Sequence, residues 1–335
     1  MDGVLVIDKP KGPTSFDVVR QVRGLLRVKK VGHTGTLDPM ATGVLPLCLG
    51  EATKVAGFIT EGDKAYDAVV RLGSETDTQD AEGKVVAEAP VPALTAPLLE
   101  EVLGRFRGTF EQVPPMYSAV KVGGKRLYEL ARAGEEVERA SRQVTVYELV
   151  LRDFNATQLR LSVRCSKGFF VRTLAYDIGR ALGCGAHLEA LRRTTSGPFT
   201  LAQALPLADV AGLLAKEPAA LARRLLPVSE ALVDLPAVRV SEEDATRVSH
   251  GVPVEAPAHP GRVRVVAPSG TVLAVAEVVR GRLRYLPVRA MLISPPVVRR
   301  TKPGLYPSAD RGNGSTHPRS GSKQKEEHVG TASGP

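Results

Sequence analysis

Gly32-His33-Thr34-Gly35-Thr36-Leu37-Asp38-Pro39-Met40-Ala41-Thr42-Gly43-Val44-Leu45-Pro46-Leu47-Cys48-Leu49 is the most heavily punctuated stretch of this chain. Gly32, Gly35, Gly43, Pro39 and Pro46 predict a loop over 32–46. Glycine lets such a loop adopt positive φ and approach a ligand closely. Pro39 restricts Asp38 and tends to hold it outside a helix. A carboxylate in that position serves equally well as a nucleophile, a base, a metal ligand or a plain turn former. The loop is not a P-loop, because no Gly-Lys-Ser/Thr follows at the needed spacing.

Outward toward the N-terminus, Val4-Leu5-Val6-Ile7 reads as a buried strand ended by Asp8-Lys9-Pro10-Lys11-Gly12-Pro13. A helix should follow. Thr14 and Asp17 have the spacing of a capping box, and Phe16, Val19, Val22 and Leu26 recur at helical spacing. Arg20, Arg23, Arg27, Lys29 and Lys30 make the helix and its end basic. That suits the negative pole of the helix dipole, and it equally suits a surface facing RNA.

Downstream, strand-like alternation returns at 66–72 and 85–87, and a short helix is expected over 98–106. Residues 112–142 are polar, basic and glycine-containing, an excursion from the core. Strands are expected at 144–151 and 158–165, then helices at 169–182 and 186–193. A β-rich unit over 236–292 contains a short helix near 241–249 and strands at 262–267, 271–279 and 284–289. Residues 297–335 are rich in Gly, Ser, Pro, Lys and His without apolar periodicity, so a disordered tail is expected. This order predicts an α+β fold with a mixed, largely antiparallel sheet over 1–232, followed by the separate β-rich unit.

The chain has 335 residues, 43% hydrophobic and 24% charged, as in a soluble protein with a sizeable core. No apolar run reaches the length of a membrane-spanning helix. The N-terminus lacks the basic start and long apolar stretch of a signal peptide, so a cytoplasmic location is expected. Cys48, Cys165 and Cys184 form no C-x-x-C pair and no histidine pair has ligand spacing, so no metal is expected. The formal charge of +9 points to a polyanionic partner. The absence of tryptophan and the 4% aromatic content argue against a broad stacking platform for single strands.

The opening stretch resembles the signature loop of the TruB family of pseudouridine synthases. Companion motifs stand in that family's order: Asp8-Lys9-Pro10-Lys11-Gly12-Pro13-Thr14-Ser15, Lys64-Ala65-Tyr66, and Pro114-Pro115-Met116-Tyr117-Ser118-Ala119-Val120-Lys121 with Gly124-Lys125-Arg126-Leu127-Tyr128-Glu129-Leu130-Ala131-Arg132. Cys165-Ser166-Lys167-Gly168-Phe169-Phe170-Val171-Arg172-Thr173-Leu174 and Ala186-His187-Leu188-Glu189-Ala190-Leu191-Arg192-Arg193 complete the set. The resemblance implies the pseudouridine synthase fold, an RNA-gripping insertion over about 112–142 and a PUA-like RNA-binding unit at 236–292. It implies a monomer that converts uridine 55 in the T-loop of tRNA to pseudouridine, meeting the T-arm and using no cofactor.

By the same resemblance Asp38 acts at C1′ or the base ring, or as a base on the sugar, and must be ionised to do so. Arg172 pairs with it and holds its pKa low. Tyr66 stacks on the uracil and takes part in proton movement at C5. Phe170 and Leu191 line the base pocket, and Phe170 departs from the tyrosine usual in bacterial members. His33 contacts RNA where the uridine leaves its stack. Lys9, Lys121, Lys125, Arg126, Arg132, Arg192 and Arg193 are the implied phosphate contacts. A guide-RNA-dependent synthase is the related alternative, which the long insertion disfavours. An RNA-binding chaperone without essential catalysis is the alternative from another class.

Overall fold

The computed structural model describes residues 1–257, 259 and 261–286. The expected tail over 297–335 and the end of the strand expected at 284–289 lie outside them. The main sheet runs in the order Leu205–Pro206, Gly3–Lys9, Thr42–Leu49, Ala186–Ser196, Lys64–Leu72, Gln158–Cys165, Arg142–Phe154, Gly108–Gln112. Most neighbours are antiparallel, and the sheet is mixed because Thr42–Leu49 runs parallel to Ala186–Ser196.

That parallel contact is the seam of the molecule. It consists of Arg192 opposite Thr42 and Arg193 opposite Gly43. The loop carrying Asp38 ends where the seam begins. Only glycine fits at position 43: φ is +102°, and a Cβ there would lie 2.2 Å from the Arg193 carbonyl oxygen.

One face of the sheet is covered by helices. Val18, Val19 and Val22 of the Ser15–Leu26 helix, and Leu174, Ala175 and Ile178 of the Val171–Leu182 helix, pack against Ile7, Ala68, Val70, Leu161 and Val163. The first helix starts where the sequence predicts, with Thr14 Oγ1 accepting from the Asp17 amide and Asp17 returning the bond to the Thr14 amide. Phe16, expected on the buried stripe, is instead 64% exposed. The opposite sheet face, at Val4, Val6, Val44 and Cys48, shares a core with Val266, Val272 and Val275. Those valines belong to a four-stranded C-terminal sheet ordered Ala237–Arg239, Arg262–Val266, Val272–Val279, Arg282–Tyr285. A common apolar core therefore fixes this small β unit to the main sheet.

Two local expectations are corrected. The predicted loop over 32–46 holds strand at both ends, Val31–His33 and Thr42–Leu49, with glycine and proline masking the pattern. The predicted helix over 186–193 is the strand Ala186–Ser196. A bulge between Leu188 and Ala190 explains the misreading. The extra residue breaks the two-residue alternation, so Leu188 and Leu191, three apart, both reach the same core. Spacing of three is what an amphipathic helix also shows.

Candidate active site

The loop of residues 34–41 is bolted down from three sides. Ser15 Oγ donates to the Leu37 carbonyl at 3.0 Å and accepts from the Leu37 amide at 2.8 Å. Lys9 Nζ donates to the carbonyls of Pro10 and Pro39 at 2.9 and 3.2 Å. Arg193 donates to the carbonyls of Val44, Gly35 and Thr36 at 2.7, 3.1 and 3.3 Å. The backbone on both sides of Asp38 is therefore fixed by side chains from distant parts of the chain.

Lys9 and Arg193 were expected at phosphates, and here the structure corrects the sequence reading. Both side chains are buried, and their donors point at main-chain oxygens in and beside the loop that carries Asp38. Arg193→Met is accordingly expected to lower stability by about 3 kcal/mol, because one buried and two half-buried carbonyls lose a charged donor. Chemical denaturation beside wild type checks this. A loss below about 1 kcal/mol would show that the clamp does not matter.

Arg172 stands on the first turn of the Val171–Leu182 helix and is 5% exposed. Its Nε lies 3.0 Å from Asp38 Oδ2, and its Nη1 lies 3.3 Å from Asp80 Oδ2. Nη1 also donates to the Thr78 carbonyl at 3.0 Å, and Nη2 to the Tyr117 carbonyl at 2.7 Å. One guanidinium thus joins the Asp38 loop, the 77–83 turn and the base of the insertion. Asp80 was not singled out from sequence. It sits in Asp77-Thr78-Gln79-Asp80, which reads as an ordinary polar turn and contains no local signal of this contact.

Burial pushes the Asp38 carboxyl above its ordinary value, Arg172 pulls it back, and Asp80 adds to the rise. The net direction is upward, opposite to the low value implied by pairing alone. Desolvation outweighs the ion pair here. Lys9 is lowered to about 8 by burial, against the attraction of Asp38 and Glu82. The Tyr66 phenol is pushed up to about 12 by burial, with Arg193 beside it opposing the rise. Tyr66 is therefore a neutral ring with a bound hydroxyl near neutral pH.

Asp38, Tyr66, Phe170, Arg172 and Leu191 line one cavity of about 320 Å³. Phe170 caps the N-terminus of the helix that carries Arg172, and Gln112 holds it there through its amide and carbonyl at 2.8 and 3.1 Å. His33 lines an adjoining cavity of about 510 Å³ that also reaches Asp38 and Arg172. Burial lowers the His33 pKa. Arg126 and Arg132 also line this second cavity, over the ring of Tyr128 at 5.8 and 5.4 Å from its centroid. Lys121 and Lys125 lie exposed on a two-stranded hairpin of the insertion. Arg192 lines a different cavity and is paired with Asp8 at 2.7 Å. The sequence-derived residues therefore divide into a group around the Asp38 cavity, a basic wall and a buried clamp, with Arg192 apart from all three.

The cavity thus sets a carboxylate against a guanidinium between aromatic and aliphatic walls, surfaces that suit a flat uncharged ring. Among the described residues no cluster of His, Cys, Asp or Glu could hold a metal ion. A family model for the N-terminal domain of TruB family pseudouridylate synthases matches residues 23–171. Models for two C-terminal parts, of tRNA pseudouridylate synthase B and of tRNA pseudouridine synthase II, match 172–233 and 235–288. The chain is 49% identical over 281 residues to tRNA pseudouridine synthase B of Pseudomonas aeruginosa (strain UCBPP-PA14), across 83% of this chain and 92% of that one. The chain belongs to the TruB family of pseudouridylate synthases. A second relative, tRNA pseudouridine synthase B of Azoarcus sp. (strain BH72), is 49% identical over 286 residues, 85% of this chain and 93% of its own. Among solved structures, a chain in the crystal structure of a Cbf5-Nop10-Gar1 complex aligns with a TM-score of 0.67 at 28% identity. That alignment covers 82% of this TruB-family chain and 78% of the other.

Proposed function

We propose that the protein isomerises uridine 55 in the T-loop of tRNA, with Asp38 as the catalytic carboxylate. Conversion of a tRNA uridine to pseudouridine is the activity of the family. The observation that carries the finer reading is the single cavity holding Asp38, Arg172, Tyr66, Phe170 and Leu191. The bond from C1′ of the ribose to N1 of the uracil breaks, the ring turns, and C5 bonds to C1′. The C5 proton leaves and N1 takes one up, so no atom is added and no electron is transferred.

The target base must leave its stack to reach such a cavity, at a cost of a few kcal/mol. Tyr66 and Phe170 offer aromatic surface to the extruded ring, and Leu191 closes the wall. His33, in the adjoining cavity, faces the RNA at the gap the base leaves. Arg126, Arg132, Lys121 and Lys125 take the phosphates of the T-arm. RNA shape and an unstacked base provide the selectivity, as expected for RNA rather than duplex DNA. In this reading the enzyme works as a monomer, and a tRNA substrate supports a cytoplasmic location. No described helix is long and apolar enough to cross a membrane.

Unmodified tRNA transcript and purified protein, with nothing else, test the reading. One pseudouridine per transcript at position 55 is expected. Modification only after a guide RNA and partner proteins are supplied would transfer the assignment to the guided class.

A further inference from the structure

We propose that the Ser118 hydroxyl donates a hydrogen bond to a ring carbonyl of the uracil held beside Asp38. This rests on reading the Asp38 cavity as the uridine site. Ser118 is 5% exposed, yet its Oγ is buried with no hydrogen-bond partner among the described residues. Such atoms are rare in folded proteins, because an unmade bond leaves a desolvated dipole uncompensated. This one borders both cavities that Asp38 and Arg172 share.

The hydroxyl is held in place by the backbone around it. The Ser118 amide donates to the Met116 carbonyl at 2.9 Å, and its own carbonyl accepts from the Tyr128 amide at 3.0 Å. The preceding carbonyl, of Tyr117, accepts from Arg172. Ser118 is thus tied to the same guanidinium that fixes Asp38, while its side chain remains uncommitted. Of the other walls, Phe170 has no hydroxyl, Val120, Phe169 and Leu191 are apolar, and Tyr66 lies beside Arg193. Thr36 and Arg142 also line the cavity, but both residues are exposed, so Ser118 is the buried polar side chain there without a partner.

Uracil has two ring carbonyls that accept hydrogen bonds, and a serine hydroxyl has one proton to give. As the bond to C1′ breaks, negative charge collects on the ring and spreads onto those oxygens. A donor already in place beside the ring is worth most at that moment. Ser118 therefore contributes more to the rate than to the affinity for tRNA, which the phosphate contacts dominate.

Ser118→Ala tests this on transcripts carrying uridine, 2-thiouridine or 4-thiouridine at the target position. The thermal midpoint should stay level or rise, since only an unpaired hydroxyl is removed. Single-turnover rate on uridine should fall about tenfold, with KM within about twofold. Sulfur accepts hydrogen bonds poorly, so wild type should be slowed by the thio substitution at the contacted carbonyl. That slowing should shrink at least about threefold in Ser118→Ala, and the affected isomer identifies the oxygen. Rates within twofold of wild type, thio effects equal in both proteins, or a lowered midpoint would each overturn the proposal. Wild-type turnover of the uridine transcript is the separate control: its failure sinks the reading of the site, whereas an indifferent Ser118→Ala beside active wild type sinks only this contact.

Discussion

Asp38→Asn is expected to remove pseudouridine formation, by about 10⁴-fold or more, while tRNA affinity stays within about threefold of wild type. Asparagine keeps the shape of the side chain but cannot act as an anionic nucleophile or base. Affinity survives because Arg126, Arg132, Lys121 and Lys125 are untouched. Stability has a definite sign as well. The folded carboxyl titrates above its unfolded value, so ionised Asp38 costs stability at neutral pH. That cost shrinks as pH falls through the folded value and is gone below the unfolded one, near 3.8. The neutral asparagine carries no such cost, and Arg172 still has Asp80 and two carbonyls. The midpoint of Asp38→Asn at pH 7 should therefore be no lower than that of wild type. Near-normal turnover by this variant would remove Asp38 from the chemistry.

What could be read in the sequence divides along physical lines. Features set by neighbours along the chain were visible: the Thr14–Asp17 cap and the 158–165 strand. Family likeness then supplied Arg172 as the partner of Asp38, 134 residues away, a pairing that no periodicity reveals. What stayed hidden depends on burial. Lys9 and Arg193 look like any basic residues beside a nucleic-acid site, and only the fold shows that their charges face inward to loop carbonyls. The rise in the Asp38 pKa was missed for the same reason, since desolvation is a property of the packed site. Asp80 and Gln112 left no local trace, because each acts on a residue 92 and 58 positions away, respectively. The 186–193 strand was misread through one bulge. Its side chains nevertheless belong to the right places, since Leu191 reaches the cavity whichever way the backbone is drawn.

The three-sided grip on the Asp38 loop also bears on how catalysis is divided among residues. Ser15, Lys9 and Arg193 set where the carboxylate is, through backbone carbonyls and the Leu37 amide. Arg172 sets how that carboxylate is charged and aimed. Losing a loop clamp should therefore weaken the protein and the rate together, whereas losing Arg172 should change the rate in a pH-dependent way.

Arg172→Ala is expected to lower the single-turnover rate by about 10²- to 10³-fold, and the loss should deepen as pH falls. In the proposed reaction Asp38 works in its ionised form, and the attraction of Arg172 opposes the upward push of burial on its pKa. Without that attraction the pKa rises further, so the acid limb of the rate profile moves to higher pH. Arg172→Lys keeps a charge but not the fork that reaches Asp38, Asp80 and the Tyr117 carbonyl together, and should recover less than about a tenth of the lost rate. Stability should fall too. Asp80 is 6% exposed and loses its cation, a change that costs about 3 kcal/mol in buried pairs. Thr78 Oγ1 and the Glu82 amide still reach Asp80 at 2.7 and 3.0 Å, which keeps the loss from being larger. Rates should be taken well below the variants' midpoints, so that unfolding does not pass for lost chemistry. An acid limb that stays where wild type has it would mean that Arg172 positions the substrate or the insertion but does not hold the charge on Asp38.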